Sequence, residues 1–237
     1  MEFLEAAHTL RSNGWLSNTP TEFQDAVLSR TTLHHYPAGE VILRYATPGN
    51  AIVGLVSGCL ACQLPPRADA SSLVHLFAPG AWTGELAFFC GGVRRVETMA
   101  YTDSYCMRLT KANLDKILQD QPGYWQWCNL LTALTFDVTL MTLDALTTFD
   151  ATTRIAKTLK RLAIISETTS LPRTSQADIG AMAGLSRKGA HDALKRLEKM
   201  GVVRCGYGTV EILCREGLEQ VIQGGSISSM NSTAISS

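Results

Sequence analysis

Five polar side chains in the last quarter of the chain stand at spacings suited to reading a surface. Arg187, His191 and Lys195 step by four residues, with Lys188 and Asp192 beside them. On a helix that step keeps side chains on one face. Donors of this kind with one acceptor can hydrogen-bond base edges in the major groove of double-stranded DNA. The residues around them look built to hold such a helix. Ser175 with Asp178 three positions later is a capping box, and Ile179, Met182 and Ala183 follow at helical spacing. Gly184 supplies the conformational freedom of a tight turn, Leu185 plugs it, and Ser186 is a good N-cap for a second helix over residues 187–200. Ala190, Ala193, Leu194 and Leu197 form its inward stripe. Ser186 lies where the helix would meet DNA. Gly189 has no side chain, so close approach to a backbone is open there. Beyond Met200, the segment VVRCGYGTVEIL reads as two short strands hinged at residues 206–208, a wing that would bring Arg204 to phosphates, as Lys195 is also placed to do. On these residues alone a surface helical hairpin with a solvated charged face is the alternative account.

Other chemistry is harder to find. Cys59 and Cys62 make a CxxC, but in a strand residues three apart face opposite ways and chelate poorly. They read better as small core residues, and no metal site is expected. His34 and His35 at a strand entrance and His75 alone in a strand read as ordinary histidines rather than haem ligands. Neither a Ser/His/Asp arrangement nor paired carboxylates appear at a recognisable spacing, so an enzyme is not expected.

The formal net charge of zero conceals an asymmetry. Residues 1–150 carry 9 Lys+Arg against 14 Asp+Glu, a net of −5; residues 151–237 carry 12 against 7, a net of +5. Only the C-terminal part is suited to a polyanion. The 46% hydrophobic content across 237 residues can support more than one core. Seven cysteines without framework spacing suit a reduced, cytoplasmic setting. The N-terminus has charges where a signal peptide needs an apolar core, and no run of ~18 apolar residues suggests a membrane span.

The chain order places these features. Residues 3–16 predict a short helix broken at Asn13-Gly14, and Thr19-Pro20-Thr21-Glu22 a capping box opening a second helix to about Ser29. From Leu33 to Leu109, short β-rich runs alternate with glycine and proline turns, the texture of an antiparallel sandwich or roll. A helix follows from Lys111 to Leu118, then a long one from about Tyr124 to Thr148. In the latter Trp127, Leu131, Leu134, Val138, Met141, Ala145 and Thr148 make a heptad seam, and Leu130, Phe136, Leu140 and Leu143 a second apolar stripe. No lysine or arginine lies between Lys116 and Arg154. Such a helix suits a place between its own sheet domain and a partner's matching helix, or the core of a monomer. Asp150 opens another helix with Ile155, Leu159, Leu162 and Ala163 inward and a basic outer face of Arg154, Lys157, Lys160 and Arg161. The tail from Gly224 is expected to be disordered.

This order resembles the Crp/Fnr superfamily of bacterial transcription regulators over nearly the whole chain. The matching stretches are PAGEVIL (37–43), SGCL (57–60), PGAWTGELAFF (79–89), AYTDSYCMRLT (100–110), DATTRIAKTLKRLA (150–163) and the helix-turn-helix. The resemblance implies an α+β chain: an antiparallel cyclic-nucleotide-binding-like roll over residues 1–120 and a dimerisation helix over 121–149. A winged helix-turn-helix over 150–216 and an extension over 217–237 follow. It implies double-stranded DNA, a second copy and RNA polymerase as partners, without a membrane. It also marks Gly84, Glu85 and Leu86 as the phosphate-binding cassette, Arg94 as the family arginine, and Thr139 as the purine-side position of the long helix. Two positions depart from the pattern. Arg95 stands where cyclic-nucleotide binders have Ser or Thr, and Leu140 follows Thr139 in place of a polar residue. Response to an effector other than cAMP is therefore expected. Cyclic-nucleotide binding, or an internal ion pair of Glu85 with the arginines that only holds the fold, are the alternatives. The oxygen-sensing branch carries N-terminal cysteines, and here none precedes Cys59.

Overall fold

The computed structural model describes residues 1–65, 73–166 and 174–224, and the chain divides into two compact units between Thr139 and Leu140. The first begins with helices α1 (Phe3–Ser12), α2 (Gly14–Ser17) and α3 (Thr21–Leu28). The roll follows as β1 (Thr32–Tyr36), β2 (Val41–Leu43), β3 (Ala51–Ser57), β4 (Leu60–Gln63), β5 (Leu73–Phe77) and β6 (Trp82–Thr83). Then come helix α4 (Glu85–Cys90), β7 (Glu97–Ala100) and β8 (Ser104–Thr110). Two antiparallel sheets result, β1-β8-β3-β6 and β2-β7-β4-β5. The period of two along each strand divides the apolar residues between two cores. Val53, Leu55 and Cys106 join Ile42, Leu43, Leu60 and Ala100 between the sheets. Ile52, Val56, Met107 and Leu109 point the other way, onto Trp15, Leu16, Phe23 and Trp82 under the helical layer. Sequence reading missed the two-residue β6, too short to show a period.

The predicted capping box at Thr19 is not formed. Its hydroxyl donates to the Leu16 carbonyl at 2.8 Å, and α3 starts after Pro20, whose backbone is extended and which makes no side-chain cap bond. The turn leaving α2 brings that carbonyl onto the threonine first. Helix α5 (Lys111–Asp120) is capped by Thr110, and a single 3₁₀ turn at Pro122–Tyr124 leads into α6 (Trp125–Thr147).

Helix α6 corrects the reading of its two faces. Leu131, a member of the heptad seam, is 2% exposed and belongs to the core under the roll's helices. Cys128 and Ala145 are buried too, and Trp127, Val138 and Met141 are half-buried. Of the uncovered apolar residues, Phe136 at 60% exposure, Leu140 at 47% and Leu143 at 57% belong to the other stripe, Leu134 at 39% to the seam, and Trp125 at 46% to neither. The stretch Pro122–Thr147 is long and apolar enough, with mean hydropathy 1.4, to cross a membrane by length and composition. It is not an uninterrupted apolar run, since Asp137, Asp144 and several threonines divide it.

The second unit carries α7 (Ala151–Ser166), α8 (Gln176–Met182), α9 (Arg187–Lys199), strands β9 (Val203–Gly206) and β10 (Thr209–Ile212), and α10 (Arg215–Ile222). Its core joins Ile155, Leu159, Ile179, Met182, Ala190, Leu194, Leu197 and Val210. Asp150 opens α7 by accepting from the Thr153 N–H at 2.7 Å and its hydroxyl at 2.9 Å. Those bonds hold its carboxyl below its ordinary pKa. The predicted basic outer face of α7 does not survive. Arg161 is fully buried, Lys157 pairs with Asp144 at 2.8 Å, and Lys160 pairs with Glu219 of α10 at 2.7 Å. Arg154 turns inward to backbone carbonyls. Helix α10, which sequence reading did not foresee, packs on α7 through the buried Leu218 and Val221. The predicted disordered tail falls, apart from Gly224, outside the described residues.

Candidate functional site

The helix pair α8–α9 is assembled by local chemistry. The Ser175 hydroxyl accepts from the Asp178 N–H at 3.1 Å, and the Asp178 carboxylate accepts from the Ser175 N–H at 3.2 Å. A free donor is thus satisfied at both ends of the first turn of α8. Gly184 turns the chain at φ +62°, and the Leu185 N–H returns to the Gly180 carbonyl at 2.8 Å. Gly180 sets how closely the two helices cross. A Cβ there would stand 2.6 Å from the Ala190 Cβ, so any side chain would push α9 away. Sequence reading passed over it, since a glycine inside a helix announces a close approach only once the partner helix is known. Ser186 then caps α9, its oxygen accepting from the Gly189 N–H at 3.2 Å.

Two arginines fix this pair to α7. Arg196 Nε donates to the Thr152 hydroxyl at 2.9 Å. Arg154 spans two elements: Nε and Nη2 donate to the Thr148 carbonyl at 2.9 and 2.7 Å, and Nη1 reaches the Ala183 carbonyl at 3.4 Å. It closes the end of α6 and the turn of the helix pair with one side chain.

On the outer face, Arg187, Lys188, Asp192 and Lys195 are exposed and make no ion pair among the described residues. His191 is exposed as well, with Nδ1 at 3.2 Å from the Gln176 side-chain oxygen of α8. The hairpin β9–β10 has Tyr207 and Gly208 as its two-residue tip. It is tied to α9 by the Cys205 N–H donating to Glu198 at 2.7 Å. Arg204 lies in this wing but pairs with Glu211 directly opposite, at 2.9 Å. Both are solvent-exposed, so the pair holds Arg204 only weakly and a phosphate can compete for it.

The roll holds a second group of polar side chains. Gly84 precedes α4 at φ +96°. A Cβ there would meet Leu43 at 2.7 Å and the Arg94 guanidinium at 2.9 Å, so a glycine is required twice over. Arg94 is buried; Nη2 donates to the Ala51 carbonyl at 2.7 Å and Nη1 to that of Gly84 at 3.4 Å. Glu85 is buried beside it, and its carboxylate accepts from its own N–H, the Gly84 N–H and the Thr135 hydroxyl of α6. Burial raises its pKa, with these bonds and the Arg94 charge opposing. Leu86 and Arg95 are exposed. Thr139 is exposed one turn beyond Thr135, its hydroxyl donating to the Thr135 carbonyl at 2.9 Å. The structure therefore brings Gly84, Glu85 and Arg94 together, adds Thr135, and leaves Leu86, Arg95 and Thr139 facing solvent. Cys59 is buried and Cys62 half-buried. Among the described residues no three His, Cys, Asp or Glu side chains gather to hold a metal.

A pH dependence follows from Glu85. A carboxyl whose folded pKa lies above its unfolded value, about 4.3, loses stability as pH rises through the folded pKa, because ionisation is easier in the unfolded chain. Glu85→Gln removes that loss. The melting temperature of the variant minus that of the wild type should increase between pH 4 and pH 8. A difference constant with pH, or shrinking, would contradict the assignment.

Comparison with known proteins bears on both regions. The description "Cyclic nucleotide-binding domain" matches residues 33–121 and "Crp-like helix-turn-helix domain" residues 153–221. The cyclic AMP receptor protein of Thermus thermophilus is 26% identical over 200 residues, covering 84% of this chain and 92% of that one. Among solved structures, FixK2 of Bradyrhizobium japonicum superposes with a TM-score of 0.71 at 20% identity, covering 80% of this chain and 96% of its own. The c-di-GMP-responsive global regulator CLP of Xanthomonas campestris does so at 0.66 and 21%, covering 82% and 100%. The order of roll, long helix and winged helix-turn-helix is common to these folds, and the two matched domains stand in that order here: the chain belongs to the Crp/Fnr superfamily of transcription regulators.

Proposed function

We propose that the protein is a non-enzymatic, cytoplasmic regulator that binds an inverted-repeat operator as a homodimer. The exposed face of α9 carries this reading: Arg187, Lys188, His191, Asp192 and Lys195 stand on a short helix held rigidly by Ser186, Arg196 and Arg154. The basic balance of residues 151–237 agrees with it. RNA polymerase is the further partner that family membership suggests. The uncovered side chains of Trp125, Phe136, Leu140 and Leu143 support pairing through α6 with a second copy. At 100° per residue these side chains fall within roughly 60° of one another, and no cation interrupts the face. Selection from a random DNA pool with the full chain tests the reading. Recovered sequences should contain two half-sites about 10–10.5 base pairs apart, centre to centre, in inverted orientation. Enrichment of no sequence would reject it.

The effector we assign to the roll is an anion other than cAMP. Arg95 supplies no short hydroxyl beside Arg94, and Leu140 follows Thr139. The name of the Thermus relative and the retention of Glu85 and Arg94 favour cAMP as a second reading. A ligand that binds only the folded state adds about 2.7 kcal/mol at 100 times its Kd. We expect no shift in melting temperature and no change in DNA affinity with cAMP. A clear concentration-dependent shift would establish the second reading instead.

A further inference from the structure

The inner face of the sheet β1-β8-β3-β6 holds a cation outside the phosphate-binding cassette and its arginine. In the antiparallel register Arg108 of β8 lies opposite Thr32 on one side and Val53 on the other. Side chains directly opposite share a face, and Val53 belongs to the core between the sheets. Arg108 therefore stands on the face of Val53, half-buried, with the exposed Thr32 on its other side. Ala51, whose carbonyl takes the Arg94 guanidinium at 2.7 Å, is two residues from Val53 and on the same face. Tyr36 lies on that face of β1, packs against the same core, and takes a hydrogen bond from Arg108.

Two guanidinium groups thus approach one interior, Arg108 from β8 and Arg94 from the segment that precedes β7. Their proximity is felt electrostatically. Burial first, and then the charge of Arg108, lower the pKa of Arg94, while Glu85 acts the other way and less strongly. Glu85 is occupied by two backbone N–H groups and Thr135. Glu40 is the carboxylate whose charge reaches Tyr36, and it is exposed. Like charges brought together in a partly apolar interior are unfavourable until an anion joins them. A guanidinium is also the side chain whose fork best matches phosphate and carboxylate.

We propose that Arg94 and Arg108 form a two-point anion site on the inner face of the roll, and that the effector is a small molecule with two anionic groups. One group replaces the backbone carbonyls on Arg94, and the second lies on Arg108 with the Tyr36 hydroxyl donating beside it. The proposal rests on the reading of the roll as an effector domain. It adds Arg108 and Tyr36 to the recognition set and fixes the ligand class.

Calorimetric titration of the full chain tests this with defined probes. Pyrophosphate and 3-phosphoglycerate carry two anionic groups; inorganic phosphate and cAMP carry one. Both two-anion probes should bind on the order of tenfold more tightly than either one-anion probe, the scale of one charged hydrogen-bonded contact. Arg108→Gln should abolish that preference, and Arg94→Gln should weaken all anions. Tyr36→Phe, a milder change, should reduce the preference severalfold, and circular dichroism should report native folding of each variant. If Arg108→Gln does not fold, Arg108→Lys keeps the charge without the fork and should give a partial preference. No preference in the wild type, or one unchanged in the Arg108 and Tyr36 variants, overturns the two-point site. If Arg94→Gln alone then weakens binding, the effector domain stands without Arg108. If neither arginine matters, both readings fall.

Discussion

Phe136→Asp should convert the protein from dimer to monomer and remove operator binding. Phe136 is 60% exposed at the centre of the uncovered stripe of α6, with Leu140 and Leu143 on the turns that follow. Burying one such side chain is worth about 1.5–3 kcal/mol. A two-fold interface meets every substitution twice, so the dimer should weaken by about 3 kcal/mol or more, over a hundredfold. A carboxylate facing its own copy adds repulsion. Sedimentation should give the monomer mass at micromolar concentration, with unchanged circular dichroism, since Phe136 is mostly exposed and belongs to neither core of the roll. Leu131→Asp is the contrasting variant. Leu131 is buried in the core of the first unit, so that substitution should lower the melting temperature sharply in monomer and dimer alike. A dimer that persists with both Phe136→Asp and Leu143→Asp would put the contact on another surface.

That contrast marks where sequence reading stopped. Both apolar stripes of α6 were visible as spacings. Which one its own chain covers depends on where Trp15 and Phe23 of the N-terminal helices come to rest, and a spacing contains no such information. Ser175, Asp178, Gly184 and Ser186 were legible for the opposite reason: capping and turning are settled within four residues. The same local logic failed at Thr19, where the carbonyl of Leu16 was a competing partner. Charged residues were misread wherever their partners are distant in sequence. Lys160 finds Glu219 on an unanticipated helix, and Arg161 is buried. In the roll, Gly84, Glu85 and Arg94 were legible through the family motif and do come together. Thr135 and Arg108 lie outside that motif, and only the packing of α6 and the strand register brings them close to it.

Arg187→Ala is the substitution that should do most damage to sequence recognition while leaving the fold alone. Arg187 is the first residue of α9, directly after its Ser186 cap, and its side chain is exposed and free of ion pairs among the described residues. A guanidinium there can bond the O6 and N7 of a guanine together. Its loss should cost ~1–3 kcal/mol and relax preference at one base pair in each half-site. Asp192 stands one turn further along the same exposed face, placed to accept from a cytosine amine or to steer Arg187 and Lys188. His191 is partly held by Gln176, so His191→Ala should disturb recognition less. Lys195 lies beyond the first turns, where phosphates are nearer than base edges. Lys195→Ala should weaken every sequence alike and lower the slope of log K against log salt by about one contact. Arg204→Ala should behave in the same way but more weakly, because Glu211 already competes for it. Binding titrations on operator and mutated operators at several salt concentrations separate these outcomes. If Arg187→Ala left affinity and base preference unchanged, α9 would not be the reading helix.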